Sequence, residues 1–246
     1  MDIKDGIKQE DDELHAFLMI GQSNMAGRGE FGDVEPIHNK LCHMLRMGRW
    51  QKMADPVNPD RPIFEGAFHS GISLASSFAD AYAKENQVKT GLIPCADGGT
   101  AIGQWMPGEI LYDHAVMQCK LAQRTSVIKG ILWHQGETDC KNDERVAAYK
   151  QKFITMMTAL RRDLGDETLP IIIGELSEQI APKWERGDRP AKLNRVFAEI
   201  AAELPYCAVA PSGGLSMKPD GIHFDAVSCR EFGKRYFKAY CSLMEP

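Results

Sequence analysis

Short apolar runs, each ending in polar or glycine-rich residues, recur along this chain and constrain its fold more than any other feature. Residues 14–20 (LHAFLMI), 88–93, 127–133 and 169–176 are the clear cases, and 206–210 is a weaker fifth. Each reads as a buried strand. Between them lie longer stretches with helical spacing, at 74–85, 112–124, 144–164, 191–204 and 226–243. In the third of these Val146, Tyr149, Phe153, Met156, Met157 and Leu160 fall on one face. Apolar strands alternating with amphipathic helices predict a parallel sheet covered on both faces. Such a sheet places its site at the carboxyl ends of its strands. Residues 41–52 read as a β-hairpin turning at Met47, Gly48 and Arg49, and 53–70 as a Pro- and Asp-rich loop.

The chain has 246 residues, enough for one large domain over 14–246. Its net charge is −5, and much of this sits in residues 1–13, where six acidic residues face two lysines. That segment reads as a solvated acidic tail. The remaining body is nearly neutral, which argues against nucleic acid and acidic membranes, since both require clustered Lys and Arg. No apolar run approaches the ~20 residues needed to cross a bilayer, and the N-terminus lacks a signal-peptide core. Seven cysteines at wide spacing, with no C-x-x-C, suit reduced thiols and predict a cytoplasmic setting.

The segments that follow the strands carry the chemistry. Ser23, in Gly21-Gln-Ser-Asn-Met25, stands three residues past a strand. An acyl-transfer nucleophile needs such access, with a base and oxyanion donors nearby; a helix cap needs the same residue type. Asp220 and His223 stand three apart just before the last helix. The carboxylate can orient the imidazole and leave its other nitrogen to deprotonate a serine, or the segment can serve helix initiation with Asp225 as cap. In His134-Gln-Gly-Glu137, Gln135 could donate to an oxyanion and Glu137 could be a second carboxylate near the base. Gly98 and Gly99 could admit close approach of a ligand to backbone N–H groups, or simply make a turn. Trp105 could form an apolar wall or pack in the core. Arg28 could meet a substrate carboxylate or stay solvated. Gly27-Arg-Gly-Glu-Phe-Gly32 matches a dinucleotide-loop pattern, but no good helix follows it. A metal set of Asp220, His223 and Asp225 lacks a further spaced ligand.

Taken together, Gly21-Gln-Ser-Asn-Met25, Pro94-Cys-Ala-Asp-Gly-Gly-Thr100, Trp133-His-Gln-Gly-Glu-Thr-Asp139 and Asp220-Gly-Ile-His223 resemble the SGNH-hydrolase superfamily. They look most like its branch of sialate O-acetylesterases and family 6 acetylxylan esterases. The resemblance runs from about Ala16 to the final helix. It implies a flavodoxin-like three-layer α/β/α sandwich with a central parallel sheet of about five strands. It implies Ser23 as nucleophile, His223 as base, and Asp220 or Glu137, or both, as acidic partner. It implies an oxyanion hole from the Ser23 amide, a glycine amide of the 98–99 pair (Gly99 favoured), and the Gln135 side chain. The implied activity is removal of acetyl groups from a small sugar, with no cofactor or metal. A short-chain lipase or thioesterase, a non-catalytic carbohydrate-binding protein on the same fold, and a nucleotide- or phosphate-binding flavodoxin-like protein are the competing readings.

Overall fold

Seven strands form one sheet among the described residues. They are β1 (His15–Gly21), β2 (Cys42–Arg46), β3 (Arg49–Lys52), β4 (Thr90–Pro94), β5 (Val127–His134), β6 (Ile171–Gly174) and β7 (Cys207–Ala210). The structure, a computed structural model, describes residues 14–59 and 69–244. The tail expected over 1–13 and residues 60–68 of the Pro- and Asp-rich loop lie outside the described residues. The strand order is β3-β2-β4-β1-β5-β6-β7, and all neighbours are parallel except β2 and β3.

The sheet is therefore wider than the five strands expected. The two additional strands are the hairpin at 41–52. Its β2 pairs in parallel with β4, Cys42 opposite Thr90 and Met44 opposite Leu92. The five apolar runs all became strands, and the five amphipathic stretches became helices with ends shifted by two residues or fewer. These are α2 (Leu74–Asn86), α3 (Ile110–Ala122), α4 (Asp143–Leu164), α5 (Arg189–Glu203) and α6 (Ala226–Ser242), preceded by a single turn, α1 (Ser23–Ala26).

The side chains of β1 show why the helices divide between two faces. Ala16, Leu18 and Ile20 join the cluster containing Tyr112, Tyr149, Phe153 and Phe197 of α3, α4 and α5. Phe17 and Met19, on the opposite face, join Phe78 and Tyr82 of α2 and Phe232, Tyr236 and Tyr240 of α6. Period-two alternation sends successive side chains to opposite faces, so a strand covered by helices on both must be apolar throughout. Local chemistry fixes the helix starts: Ser73, Asn142 and Asp225 each accept a first-turn amide hydrogen at 3.0, 2.9 and 2.7 Å.

The central position of β1 determines where the site lies. The chain leaves β1 toward β4 on one side and later crosses to β5 on the other, so the order reverses at β1. The loops leaving β1, β4 and β5 are stitched together there. The Asp97 amide donates to the Gly21 carbonyl at 2.9 Å, and the Gln22 amide to the His134 carbonyl at 2.8 Å. Gly21 has φ +129°, and a side chain on it would lie 2.1 Å from the His134 oxygen. Replacement of Gly21 by Ala is expected to lower the thermal midpoint by more than about 5 °C, since strain and overlap of this kind cost a few kcal/mol; differential scanning calorimetry checks it.

Candidate active site

Ser23 is the first residue of α1, with Gln22 as its N-cap. It is 7% exposed. Its hydroxyl lies 2.9 Å from His223 Nε2. On the far side of the ring, Nδ1 lies 2.9 Å from Asp220 Oδ2. An ionised carboxylate can only accept, so Nδ1 carries a hydrogen and Nε2 of the neutral ring accepts the serine hydroxyl. Asp220 is itself oriented by the Ile222 and His223 amides, both 3.0 Å from Oδ1. Burial pushes its carboxyl up, but these two amides and the His223 ring outweigh burial and hold it below the ordinary carboxylate range. The arrangement can draw a proton from Ser23 and stabilise the imidazolium that results. Both sequence readings of this loop hold, because Asp225 caps α6 while His223 reaches Ser23.

Glu137, expected as a second carboxylate near the base, makes its side-chain hydrogen bonds to Asn24 and His134. It lies under the site, 2% exposed, with Oε1 2.5 Å from Asn24 Nδ2 and 3.3 Å from His134 Nε2. Its other oxygen is buried without a hydrogen-bond partner among the described residues. Burial pushes this carboxyl up; attraction to His134 and hydrogen bonds from His134 and Asn24 overcome that and hold it down. The residue that connects it to the site is Asn24. Asn24 donates to the Ile222 carbonyl at 3.1 Å and accepts from the Phe224 amide at 3.1 Å, so it grips the backbone on both sides of His223. No local pattern pairs Asn24 with 222–224, so sequence reasoning passed over it.

Gln135 is fully buried, and its Nε2 faces the Thr100 carbonyl at 2.8 Å, Asp139 Oδ2 at 2.6 Å and Gln22 Oε1 at 3.3 Å. A side-chain amide has two hydrogens. Both are engaged by protein acceptors, so the expected oxyanion donor is instead a tie between the loops after β1, β4 and β5. Tyr149 holds its oxygen at 2.8 Å, and Asp139, whose carboxyl is raised by burial, also accepts from the Ile102 amide at 2.9 Å. Trp105 is a second correction. It is 1% exposed, edge-on to Trp133 with ring centres 5.6 Å apart, and donates from Nε1 to Thr100 at 3.0 Å. It packs in the core and offers no sugar wall.

Within the glycine pair, Gly98 is the one against the serine. A methyl group placed on it would lie 3.6 Å from Ser23 Cβ and 2.8 Å from Arg28 Nη2. Gly99 turns the loop with φ +77° and faces open space. Arg28 is half-buried, and its guanidinium lies over this floor, donating to the Gly27 carbonyl at 2.7 Å. Among the described residues, no group of three or more His, Cys, Asp or Glu side chains is arranged to hold a metal ion.

A central, mostly parallel sheet between helical layers, with a serine, a histidine and an aspartate aligned at its carboxyl edge, is the layout of an SGNH-like fold. Residues 13–242 match the family described as carbohydrate esterase, sialic acid-specific acetylesterase. The chain belongs to this family and is accordingly a carboxylic ester hydrolase of the carbohydrate acetylesterase kind. A probable carbohydrate esterase from Arabidopsis thaliana is 30% identical over 250 residues, covering 92% of this chain and 90% of the relative. The X-ray structure of that Arabidopsis protein superposes with a TM-score of 0.81 at 26% identity, over 93% of this chain and 98% of the other. NanS, at 16% identity over 95% and 98% of the two chains, has a TM-score of 0.74. A carbohydrate acetylesterase from Xanthomonas citri, at 21% identity over 93% of this chain and 56% of its own, has a TM-score of 0.66. These last two show the shared fold.

Two outcomes are expected. Asn24→Ala, which releases the backbone around His223, should lower kcat about 10–100-fold with KM changed less than about twofold, because small misplacement of reacting groups is costly. Steady-state kinetics would show it, and an unchanged kcat would deny the clamp. Acid should also weaken the fold through this region. Asp220 and Glu137 have lowered folded-state pKa values, so their stabilisation is present above the ordinary carboxylate range near ~4 and lost as pH falls through the lowered values. Asp139, shifted upward, works in the opposite sense. Midpoints measured from pH 6 to 3 should fall, and Glu137→Gln should flatten that slope.

Proposed function

We propose that this protein removes O-acetyl groups from a small carbohydrate through an acetyl-serine intermediate on Ser23. The observation that carries the reading is the unbroken line from Ser23 Oγ through His223 to Asp220, with both hydrogen bonds at 2.9 Å. His223 Nε2 takes the hydroxyl proton as Ser23 Oγ attacks the acetyl carbonyl. The tetrahedral intermediate collapses, and the same proton passes to the departing sugar oxygen. Water, deprotonated by His223, then attacks the acetyl-serine; acetate leaves and Ser23 regains its proton. With Gln135 engaged elsewhere, the oxyanion donors in this reading are the main-chain N–H groups of Ser23 and of the Gly98–Gly99 pair. Asp220 is the acidic partner, and Glu137 acts from below through Asn24.

For the substrate, two classes stand: an acetylated sialic acid and an acetylated xylo-oligosaccharide. The Arg28 guanidinium beside Ser23 favours an acidic sugar, because its planar fork matches a carboxylate. In the cytoplasmic setting that the wide cysteine spacing favours, the substrate is a short sugar and not a polymer. The decisive experiment measures acetate release from O-acetylated sialic acids and acetylated xylo-oligosaccharides by the wild type and by Ser23→Ala. Release by the wild type, with loss of at least about 10³-fold in the variant, is expected. Equal turnover by the two proteins removes Ser23 from the chemistry. A fluorophosphonate that fails to label Ser23 points to a non-catalytic sugar-binding protein, and activity rising with acyl-chain length points to a lipase or thioesterase.

A further inference from the structure

Four tryptophans occur in the chain, and three are accounted for by packing. Trp105 and Trp133 are fully buried, and Trp50 is half-buried with Nε1 donating to Thr125 at 3.1 Å. Trp184 differs: it is 36% exposed. It ends the short 3-10 turn Pro182–Trp184 in the loop after β6, and this loop rests on the Asp220 turn. The Ala181 amide donates to the Gly221 carbonyl at 2.8 Å, and Gly221 has room for no side chain, since a methyl there would lie 2.3 Å from Ala181 Cβ.

The indole is fixed in place. Its Nε1 donates to the Asp220 carbonyl at 2.8 Å, its own amide to Ala181 at 2.9 Å, and its carbonyl accepts from Arg186 Nη1 at 2.6 Å. Arg186 in turn donates from Nε to the Glu137 carbonyl at 2.7 Å. One side of Trp184 is therefore anchored to the turn that orients His223, and the other to the loop after β5. The ring's one polar atom already has a protein partner, so what it shows to solvent is apolar carbon. The exposed ring is held rigid beside the turn that carries Asp220 and His223, and a preordered ring gives up little entropy on binding.

We propose that Trp184 is a stacking platform for the apolar face of a pyranose ring, holding the sugar portion of the substrate beside the Asp220–His223 turn. A pyranose has C–H groups on one face that suit an aromatic plane, and hydroxyl groups on its rim that stay in water. The platform reads the sugar and not the acetyl group, so it sets KM for carbohydrate esters and leaves the chemical step alone. This inference rests on the carbohydrate-deacetylase reading above and adds a residue that recognises the sugar.

The test compares wild type, Trp184→Ala and Trp184→Phe on two kinds of ester. One is the acetylated sugar that the wild type turns over fastest among sialic acids and xylo-oligosaccharides; the other is ethyl acetate, which has no ring. For Trp184→Ala, KM on the sugar should rise about tenfold or more, while its kcat/KM on ethyl acetate should fall no further than that of Trp184→Phe, which also lacks the bond to the Asp220 carbonyl. Trp184→Phe keeps a plane but cannot donate to the Asp220 carbonyl, and should restore KM on the sugar to within about threefold. Equal losses on both esters in both variants would assign Trp184 to orienting Asp220 and overturn the platform while leaving the esterase reading intact. Unchanged sugar kinetics in Trp184→Ala would overturn it too. If the wild type released acetate from ethyl acetate and from neither sugar, the carbohydrate reading would fall and the platform with it.

Discussion

The hydrogen bond between Ser23 and His223 joins residues 200 positions apart, and the surrounding architecture serves to keep it formed. Ser23 is carried by the end of β1, in the middle of the sheet. His223 is carried by the turn before α6, which packs on one face of that sheet. Two separate ties register these elements. Asn24, the neighbour of the serine, binds the backbone at Ile222 and Phe224. Further along α6, the Tyr236 hydroxyl donates to the Trp133 carbonyl at 2.8 Å and lies 3.2 Å from His134 Nδ1. Gly174 makes the second tie possible, since a methyl there would fall 2.0 Å from the Tyr236 oxygen. A bond sensitive to tenths of an ångström is thus held from two directions by groups that cannot relax independently.

Glu137 is part of the same mechanics. A carboxylate this deep in the protein is costly unless hydrogen-bonded. Its partners are Asn24 and His134, one on each tie, so the carboxylate couples the Ser23 loop to the α6 anchor without touching the His223 ring. The direct acidic contact belongs to Asp220, which is partly exposed and oriented by the turn it sits in. Two carboxylates near one histidine have distinct tasks, set by burial and by what each can reach.

Sequence position was a sound guide to which loops the fold brings together and a poor guide to what some of their polar residues bond. Ser23, Asp220 and His223 could be read from their places after β1 and before α6. Gln135 and Trp105 could not. Both lie in the polar segments beyond the strands, and both turned inward, because segments that pack this closely over a sheet edge must satisfy their own buried polar groups. Gln135 bonds Thr100, Asp139 and Gln22, and Trp105 bonds Thr100 and packs on Trp133. Trp184 shows the opposite error. It follows a proline in an unremarked loop, with nothing in the neighbouring residues to mark it, and only contact with the Asp220 turn brings it to the site.

The linear chain by itself determined the layers. Period-two and period-3.6 patterns are local, so they specified five strands and five helices and placed the glycine-rich and polar segments at the strand ends. It also determined the turn at Met47–Gly48, though not that the resulting hairpin would extend the sheet; pairing of β2 with β4 depends on an edge whose exposure no local pattern records. Which carboxylate meets the histidine, which amide faces inward and which tryptophan faces out were decided only by tertiary structure. Each depends on contacts between segments tens to hundreds of residues apart, and a side chain's chemistry fixes what it can bond while the folded chain fixes what is within its reach.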